Sequence, residues 1–153
     1  MQGDATVIQH LNAVLRNEMT AVNQYFLHAR MLDHWGAVKL GAHEYDESIG
    51  EMKHADRVIE RLLFLDGLPR LELGNLHCAG NLRMRSASRA GGNTAASLGD
   101  RPLRKRARLV TRDLSATILE GEEEHVETLE THLGLLAKIG LENYIQLQSG
   151  PAS

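Results

Sequence analysis

The sequence is organised around a short pattern that occurs twice, a glutamate followed three residues later by a histidine. The first copy joins Glu51 to His54, and the second joins Glu122 to His125. Residues three apart on an α-helix lie on the same face, so each pair can offer a carboxylate oxygen and an imidazole nitrogen to one metal ion. One copy is a weak signal, because both residue types are common on solvated helix faces. Two copies on two predicted helices indicate a metal centre inside a helical bundle.

The first half of the chain predicts two long helices joined by a short turn. Asp4 is a candidate N-cap, and after it apolar residues recur at spacings of three and four as far as Ala29. Gly36 interrupts this pattern, and a second amphipathic helix is expected over residues 37–65. Residues 66–69 then supply a C-cap glycine and a proline that stop it. Two such helices with so short a connection predict an antiparallel hairpin.

Glu18 lies in the middle of the apolar stripe of the first helix, between Leu15 and Val22. A carboxylate at such a position is costly unless something pairs with it. It either reaches solvent from the edge of the stripe or faces into the bundle as a metal ligand, and the two Glu-x-x-His pairs favour the ligand. The inward stripe of the second helix also has polar members, namely Glu44 or Glu47, Glu51 and His54.

Met52 follows Glu51 directly and therefore points about 100° around the helix from it. If Glu51 faces the bundle, Met52 lies on its flank. That flank also carries five other residues, namely Met19, Asn23, Phe26, Tyr45 and Ile49. A methionine there is most often a gap-filling core or interface residue. A thioether is also a ligand of haem iron, and the spacing alone does not choose between the two roles.

The stretch from residue 74 to residue 112 has a different character. It holds nine of the seventeen basic residues and one acidic residue, Asp100, so it carries +8 while the rest of the chain carries −11. Its weak periodicity and its many Gly, Ser and Pro residues predict a loop, disorder or a poor helix. The charge also suits a phosphate backbone, so a protein that binds nucleic acid or an acidic partner is one alternative function. No aromatic residue is interleaved to stack on bases, which argues against nucleic acid.

A further long helix is predicted from residue 110 onward. Its apolar stripe includes Glu122 and His125, so both are expected to face inward. Three neighbouring glutamates form a solvated acidic face, namely Glu120, Glu123 and Glu124. Gly140 ends this helix, and residues 141–148 could form a short last one.

The composition fits one all-α domain over residues 1–153. Apolar residues make up 42% and aromatic residues 4%, which suits a bundle packed with Leu, Ile, Val and Ala. Cys78 is the only cysteine, so no intrachain disulfide is possible, as in a reducing compartment. We see no N-terminal leader and no apolar run that approaches about 18 residues. We therefore expect a cytoplasmic protein without membrane contact.

Seven segments of the chain closely resemble bacterioferritins. They are residues 1–4 (MQGD), 7–12 (VIQHLN), 23–30 (NQYFLHAR), 44–56 (EYDESIGEMKHAD), 63–69 (LFLDGLP), 122–125 (EEEH) and 139–144 (IGLENY). Together they place the resemblance over about residues 1–77 and 109–148. It implies a ferritin-like bundle of four helices plus a short fifth. Two-fold dimers of such subunits would assemble into a hollow shell of twenty-four.

The resemblance also implies iron storage and detoxification. Fe(II) would be oxidised by dioxygen or peroxide at a di-iron centre inside each bundle, and the ferric mineral would be kept in the shell. Haem b would lie between two subunits with Met52 as its axial ligand, and a ferredoxin-type donor would supply electrons for iron release. Position by position, the catalytic metal ligands would be Glu18, Glu51, His54, Glu122 and His125. Of these, Glu51 and Glu122 would bridge the irons, Glu18 and His54 would be terminal ligands of one iron, and His125 of the other.

The chain departs from the family in several places. The family has a second lone carboxylate in its third helix, whereas residues 78–109 are Arg/Ser/Gly-rich and contain no glutamate. The second iron would then lack a terminal carboxylate, so a catalytically weak shell subunit is another alternative function. Asp46 and Gly50 stand where the family often has His and Asp, and Thr128 stands in place of Trp.

The boundaries of the atypical stretch are abrupt, which gradual divergence rarely produces. An excess of Arg, Ala, Ser and Gly is what a GC-rich gene gives when it is translated out of frame. We hypothesise two compensating frame errors in the gene or its recorded sequence, and the alternative is a genuine, divergent third helix. Peptides from the isolated protein that match residues 83–108 would exclude the frame errors.

Overall fold

The computed structural model describes residues 3–77 and 105–150, and for residues 105–110 it describes the backbone alone. Four helices lie in these residues: α1 over Ala5–His34, α2 over Val38–Phe64, α3 over Lys105–Ile139 and α4 over Leu141–Gln148. The described part of the chain contains no β-strand, which confirms the prediction of an all-α fold. None of its helices combines the length and the apolar character needed to cross a membrane.

Helix α1 begins and ends where the sequence predicts. The Asp4 carboxylate accepts a 2.8 Å hydrogen bond from the backbone N–H of Thr6, which satisfies one free donor at the helix start. Gly36, with a φ of 82°, adopts the left-handed conformation that lets the chain turn at once into α2. Buried residues recur along one face of α1, and Glu18 is one of them.

Helices α1 and α2 pack together as the predicted hairpin. A Cβ atom built on Gly41 would lie 3.1 Å from the backbone oxygen of Ala29, so the two helices approach closely there. The buried hydroxyl of Ser48 donates to the backbone oxygen of Val22 at 2.9 Å. These contacts fix the rotation of α2 relative to α1, and with it the direction of every side chain between them.

The segment that follows α2 runs back along α1 without helical structure. Three of its backbone N–H groups, from Arg70, Gly74 and His77, donate at 2.7, 2.7 and 2.6 Å to side-chain oxygens of Asn12, Thr20 and Gln24. All three acceptors belong to α1. The segment is therefore held against that helix as far as residue 77.

Helix α3 carries the second Glu-x-x-His pair and begins at Lys105, five residues earlier than the predicted start at residue 110. The sequence placed the start too late because the basic first turn lacks apolar periodicity. Most of the atypical stretch, residues 78–104, lies outside the described residues, and so does its predicted loop, disorder or poor helix. Gly140, with a φ of 77°, separates α3 from α4 as expected.

Within the described residues, two apolar clusters form the core. The first consists of Leu11, Leu15, Ala55, Val58, Leu62, Leu65 and Ile118. The second consists of Leu32, Ala37, Leu40 and Tyr144. Along α2, the second cluster ends at Leu40 and the first begins at Ala55. The part of α2 between these two residues therefore lies between the clusters. It carries the polar residues Glu44, Glu47, Glu51 and His54.

Candidate metal centre

Three side chains from α1 and α2 converge between the two apolar clusters. Nδ1 of His54 lies 3.3 Å from Oε2 of Glu51 and 3.4 Å from Oε2 of Glu18. Glu18 and Glu51 are only 4% and 5% exposed, and His54 is partly buried. One ligand atom from each of the three lies within 4.8 Å of the others, which is close enough for all to bind one metal ion. We call these residues the first ligand group.

Burial and close packing set the charge of the first ligand group. The interaction with Glu18, followed by that with Glu51, raises the pKa of His54 from 6.5 to about 10. Burial is the main reason why the pKa of Glu51 is raised, and the neighbouring Glu18 adds to the rise. The imidazolium of His54 therefore offsets negative charge at neutral pH, and a bound cation could take the place of its proton.

A second group of three joins α2 to α3. Nδ1 of His125 lies 3.0 Å from Oε2 of Glu47, and Nε2 of His43 lies 3.9 Å from Oε1 of the same carboxylate. The close contact with His125 is the main reason why the pKa of Glu47 is lowered, so this carboxylate is ionised at neutral pH. Ligand atoms of these three residues also lie within 4.8 Å of one another. We call them the second ligand group.

Glu122 lies beside both ligand groups and belongs to neither. It is partly buried, and burial raises its pKa, with a further rise from the negative charge of Glu51. The charges of His125 and His54 act on it in the opposite direction. The structure therefore brings all five predicted ligands into one region and pairs His125 with Glu47.

Known proteins are similar to this chain in sequence. Residues 8–84 match the family model of the ferritin-like domain. The bacterioferritin of Brucella melitensis is 40% identical over an alignment of 165 positions, gaps included. This alignment covers 99% of this chain and 98% of that protein. The bacterioferritin of Rhodobacter capsulatus is 35% identical, and the match covers 99% of this chain and 97% of that protein. The bacterioferritin of Mycobacterium tuberculosis is 40% identical, and the match covers 94% of each chain. The chain belongs to the bacterioferritin family.

Membership of the bacterioferritin family confirms the predicted ferritin-like four-helix bundle with a short C-terminal helix. The match to the ferritin-like family model ends at residue 84, within the basic stretch that the sequence sets apart. The match to the Brucella melitensis bacterioferritin covers 99% of this chain and so extends beyond residue 84.

The second ligand group contains two residues, His43 and Glu47, that were not predicted from the sequence to be metal ligands. Glu47 was expected to face inward as an alternative to Glu44, and His43 was not singled out. The structure places Glu47 at the centre, whereas Glu44 is fully buried with Oε2 3.8 Å from Nδ1 of His28. The available signal was the spacing of four between His43 and Glu47, which puts both on one face of α2.

One cavity of about 220 Å³ connects the two ligand groups. Its lining includes His43, Glu47, Gly50, Glu51, His54, Gly121, Glu124, His125 and Thr128. Gly50 and Thr128 are lining residues with small side chains. A Cβ atom on Gly50 would meet nothing within 4 Å, so this side of the cavity is open.

Met52 lies apart from both ligand groups. Its side chain is 51% exposed, and Phe26 and Tyr45 of the same predicted flank are exposed as well. The rings of Phe26 and Tyr45 have centroids 6.3 Å apart, and the guanidinium of Arg30 lies 5.8 and 5.3 Å from them. The structure thus confirms that Met52 lies outside the core, on an apolar flank.

Proposed function

We propose that this protein stores iron, and that it oxidises Fe(II) at the centre formed by α1, α2 and α3. The observation that carries the proposal is the convergence of Glu18, Glu51 and His54. Two nearly buried carboxylates are costly unless they are paired or bind a cation, and here they share a single imidazole. Relatives named bacterioferritin that match nearly the whole chain support the same function.

Fe(II) is the substrate of the reaction. Glu18 and His54 would bind one Fe(II) as terminal ligands, and Glu51 would be shared with a second Fe(II). Because the pKa of His54 is raised to about 10, this histidine is protonated at neutral pH before the metal binds. Binding of Fe(II) would therefore release a proton from His54. The metal would take over the role of the imidazolium in balancing the two carboxylates.

The second Fe(II) would lie on the α3 side of the centre. His125 would be its terminal ligand, and Glu122 would be the second carboxylate shared by the two ions. Burial and the charge of Glu51 raise the pKa of Glu122, so a cation between these carboxylates would relieve their repulsion. The same negative charge favours Fe(III) over Fe(II), because the attraction grows with the charge of the cation.

Two Fe(II) ions held side by side can give up two electrons together. Two Fe(II), one dioxygen and two protons yield two Fe(III) and one hydrogen peroxide. With peroxide as the oxidant, two Fe(II), one hydrogen peroxide and two protons yield two Fe(III) and two waters. The protein contributes adjacent binding positions, negative charge that stabilises the product, and a cavity through which the ions can move.

Haem b would bind at the flank of α2 that carries Met52. Bound there, it would supply an electron-transfer group for the release of stored iron. The fit rests on a half-exposed thioether next to an apolar flank with exposed aromatic rings, since haem needs both a ligand for its iron and apolar cover for its ring. A two-fold axis would bring the same flank of a second subunit against it, so each haem would be shared by two chains.

A catalytically weak shell subunit is the alternative that a specific observation favours, because residues 78–109 contain no glutamate to complete the second iron position. The two functions predict different rates of Fe(II) oxidation and the same assembly into a shell. A weak subunit would form the shell and accept iron, but Fe(II) would be oxidised no faster than in buffer.

The proposal can be tested by adding Fe(II) in air to metal-free protein and separating the products by gel filtration. We expect many Fe(III) ions per chain to co-elute with a particle far larger than one chain of 16.9 kDa. Fe(II) oxidation that is faster with the protein than in buffer alone distinguishes the ferroxidase from the weak subunit. Iron that precipitates free of protein, or a protein peak of single-chain size, would contradict the proposal.

A further inference from the structure

We propose that His43, Glu47 and His125 form the second metal position of the centre, with Glu47 in place of the glutamate that residues 78–109 lack. This inference rests on the proposed function and specifies the ligands of its second iron. The two α2 residues His43 and Glu47 would take the place of a carboxylate from residues 78–109, and His125 of α3 would remain a ligand.

The geometry places one carboxylate between two imidazoles. Nδ1 of His125 and Nε2 of His43 lie 3.0 and 3.9 Å from the two different oxygens of Glu47. Each residue offers one atom, and the three atoms lie within 4.8 Å of one another. A metal ion that binds all three would need only small side-chain movements.

The donor set is chemically distinct from that of the first ligand group. Two histidines and one carboxylate form the set that non-haem Fe(II) enzymes use, with positions left open for oxygen or water. Two carboxylates and one histidine form the first group. The second position would therefore be less anionic than the first and would bind a divalent first-row ion such as Fe(II), Co(II) or Zn(II).

His43 is prepared to act as a ligand. Its Nε2 atom is buried and makes no hydrogen bond within the described residues, although the ring as a whole is partly exposed. A buried ring nitrogen without a hydrogen bond is unfavourable, and a metal ion would satisfy it. Two other imidazoles lie near the ring, with centroids 6.4 Å away for His125 and 6.1 Å away for His132.

The surroundings leave room for the ion. His43, Glu47 and His125 all line the cavity that also reaches Glu51 and His54. Since Glu47 and Glu51 lie one helical turn apart on α2, ions at the two positions would be neighbours on the same helix face. The ring of Tyr25 lies 4.8 Å from that of His125 and limits the movement of this ligand.

The test is an anaerobic titration of metal-free protein with Co(II), followed by visible absorption and by metal analysis after gel filtration. The parent should bind two Co(II) per chain. His43→Ala should keep one at the parent affinity and weaken the other by at least about 10- to 100-fold, a loss typical even of residues that only support a ligand. His10→Ala is the matched control, because Nε2 of His10 is likewise buried without a hydrogen bond but lies in neither ligand group.

Glu18→Gln separates this inference from the proposed function. This change should weaken binding at the first ligand group and leave the second unaffected. If the parent binds two Co(II) and His43→Ala binds both with parent affinity, His43 is not a ligand and the inference is wrong while the proposed function stands. If the parent binds one Co(II), and His43→Ala abolishes this binding while Glu18→Gln does not, the inference stands but the first ligand group does not bind Co(II). If the parent binds none, both are wrong.

Discussion

Oε2 of Glu18 lies 3.4 Å from Nδ1 of His54, so a residue in the middle of α1 pairs across the hairpin with one in the middle of α2. Glu18 would otherwise be a nearly buried carboxylate on an apolar stripe. The pair therefore explains why the stripe tolerates a glutamate. It also fixes the orientation of the imidazole that we assign to the first iron.

This contact predicts how the stability of the metal-free protein depends on pH. Because the folded-state pKa of His54 is raised from 6.5 to about 10, its protonated form stabilises the folded chain fully below about pH 6.5. That contribution is lost as the pH rises through about 10. We expect the difference in thermal midpoint between the parent and His54→Gln to shrink steadily over this range. A difference that stays constant from pH 6.5 to pH 10 would show that His54 is not held protonated.

The two shared carboxylates should be essential for fast oxidation. Glu51→Ala and Glu122→Ala each remove an oxygen ligand from both iron ions, so each should lower Fe(II) oxidation to near the rate in buffer. The shell should still assemble, because the loss of an inward carboxylate also removes like-charge repulsion. Glu123→Ala, an exposed neighbour of Glu122, is the control and should keep the parent rate. A parent rate in either test variant would exclude that residue as a bridge.

Gly121 should control the first ligand group without being a ligand. A Cβ atom there would lie 3.2 Å from Cε1 of His54, so Gly121→Ala must push the ring by a few tenths of an ångström. We expect Co(II) affinity at the first ligand group to fall by about tenfold, as for other residues that position a ligand. Gly134→Ala, on the same helix, meets nothing within 4 Å. It should stabilise the helix by about 0.5–1 kcal/mol and leave the titration unchanged.

Met52→Leu should abolish haem binding and nothing else. Leucine keeps the volume and apolar character of the flank, so the dimer should persist, whereas the ligand of the haem iron is lost. Fe(II) oxidation should continue, since Met52 lies apart from both ligand groups. Met19→Leu is the control: the sequence placed Met19 on the flank of Met52, but in the structure Met19 packs against the first apolar cluster. An unchanged haem spectrum in Met52→Leu protein purified with excess haem would exclude Met52 as the ligand.

Much of the fold was predictable because local chemistry decides it. Asp4 caps α1, Gly36 and Gly140 adopt the left-handed conformation at the turns, and Glu18 stands out as a charge on an apolar stripe. The start of α3 was placed five residues too late, because a run of basic side chains carries no apolar period.

The ligands were only partly predictable for a different reason. Glu44 and Glu47 both lie near the inward arc of α2, and their spacing cannot show which of them faces His28 and which faces His125. That choice depends on how α2 is rotated against α1, which is set by packing contacts such as that of Ser48 with Val22. His43 is identified as a candidate ligand only by its position next to Glu47 in the structure.

The most direct test of the account is a stopped-flow measurement of Fe(II) oxidation at increasing ratios of Fe(II) to metal-free chain, with dioxygen in excess. We predict a fast phase whose amplitude rises linearly and saturates at two Fe(II) per chain, and which is absent from Glu18→Gln at low ratios. An amplitude that never saturates, or a rate equal to that of buffer alone at every ratio, would contradict a di-iron centre in this chain.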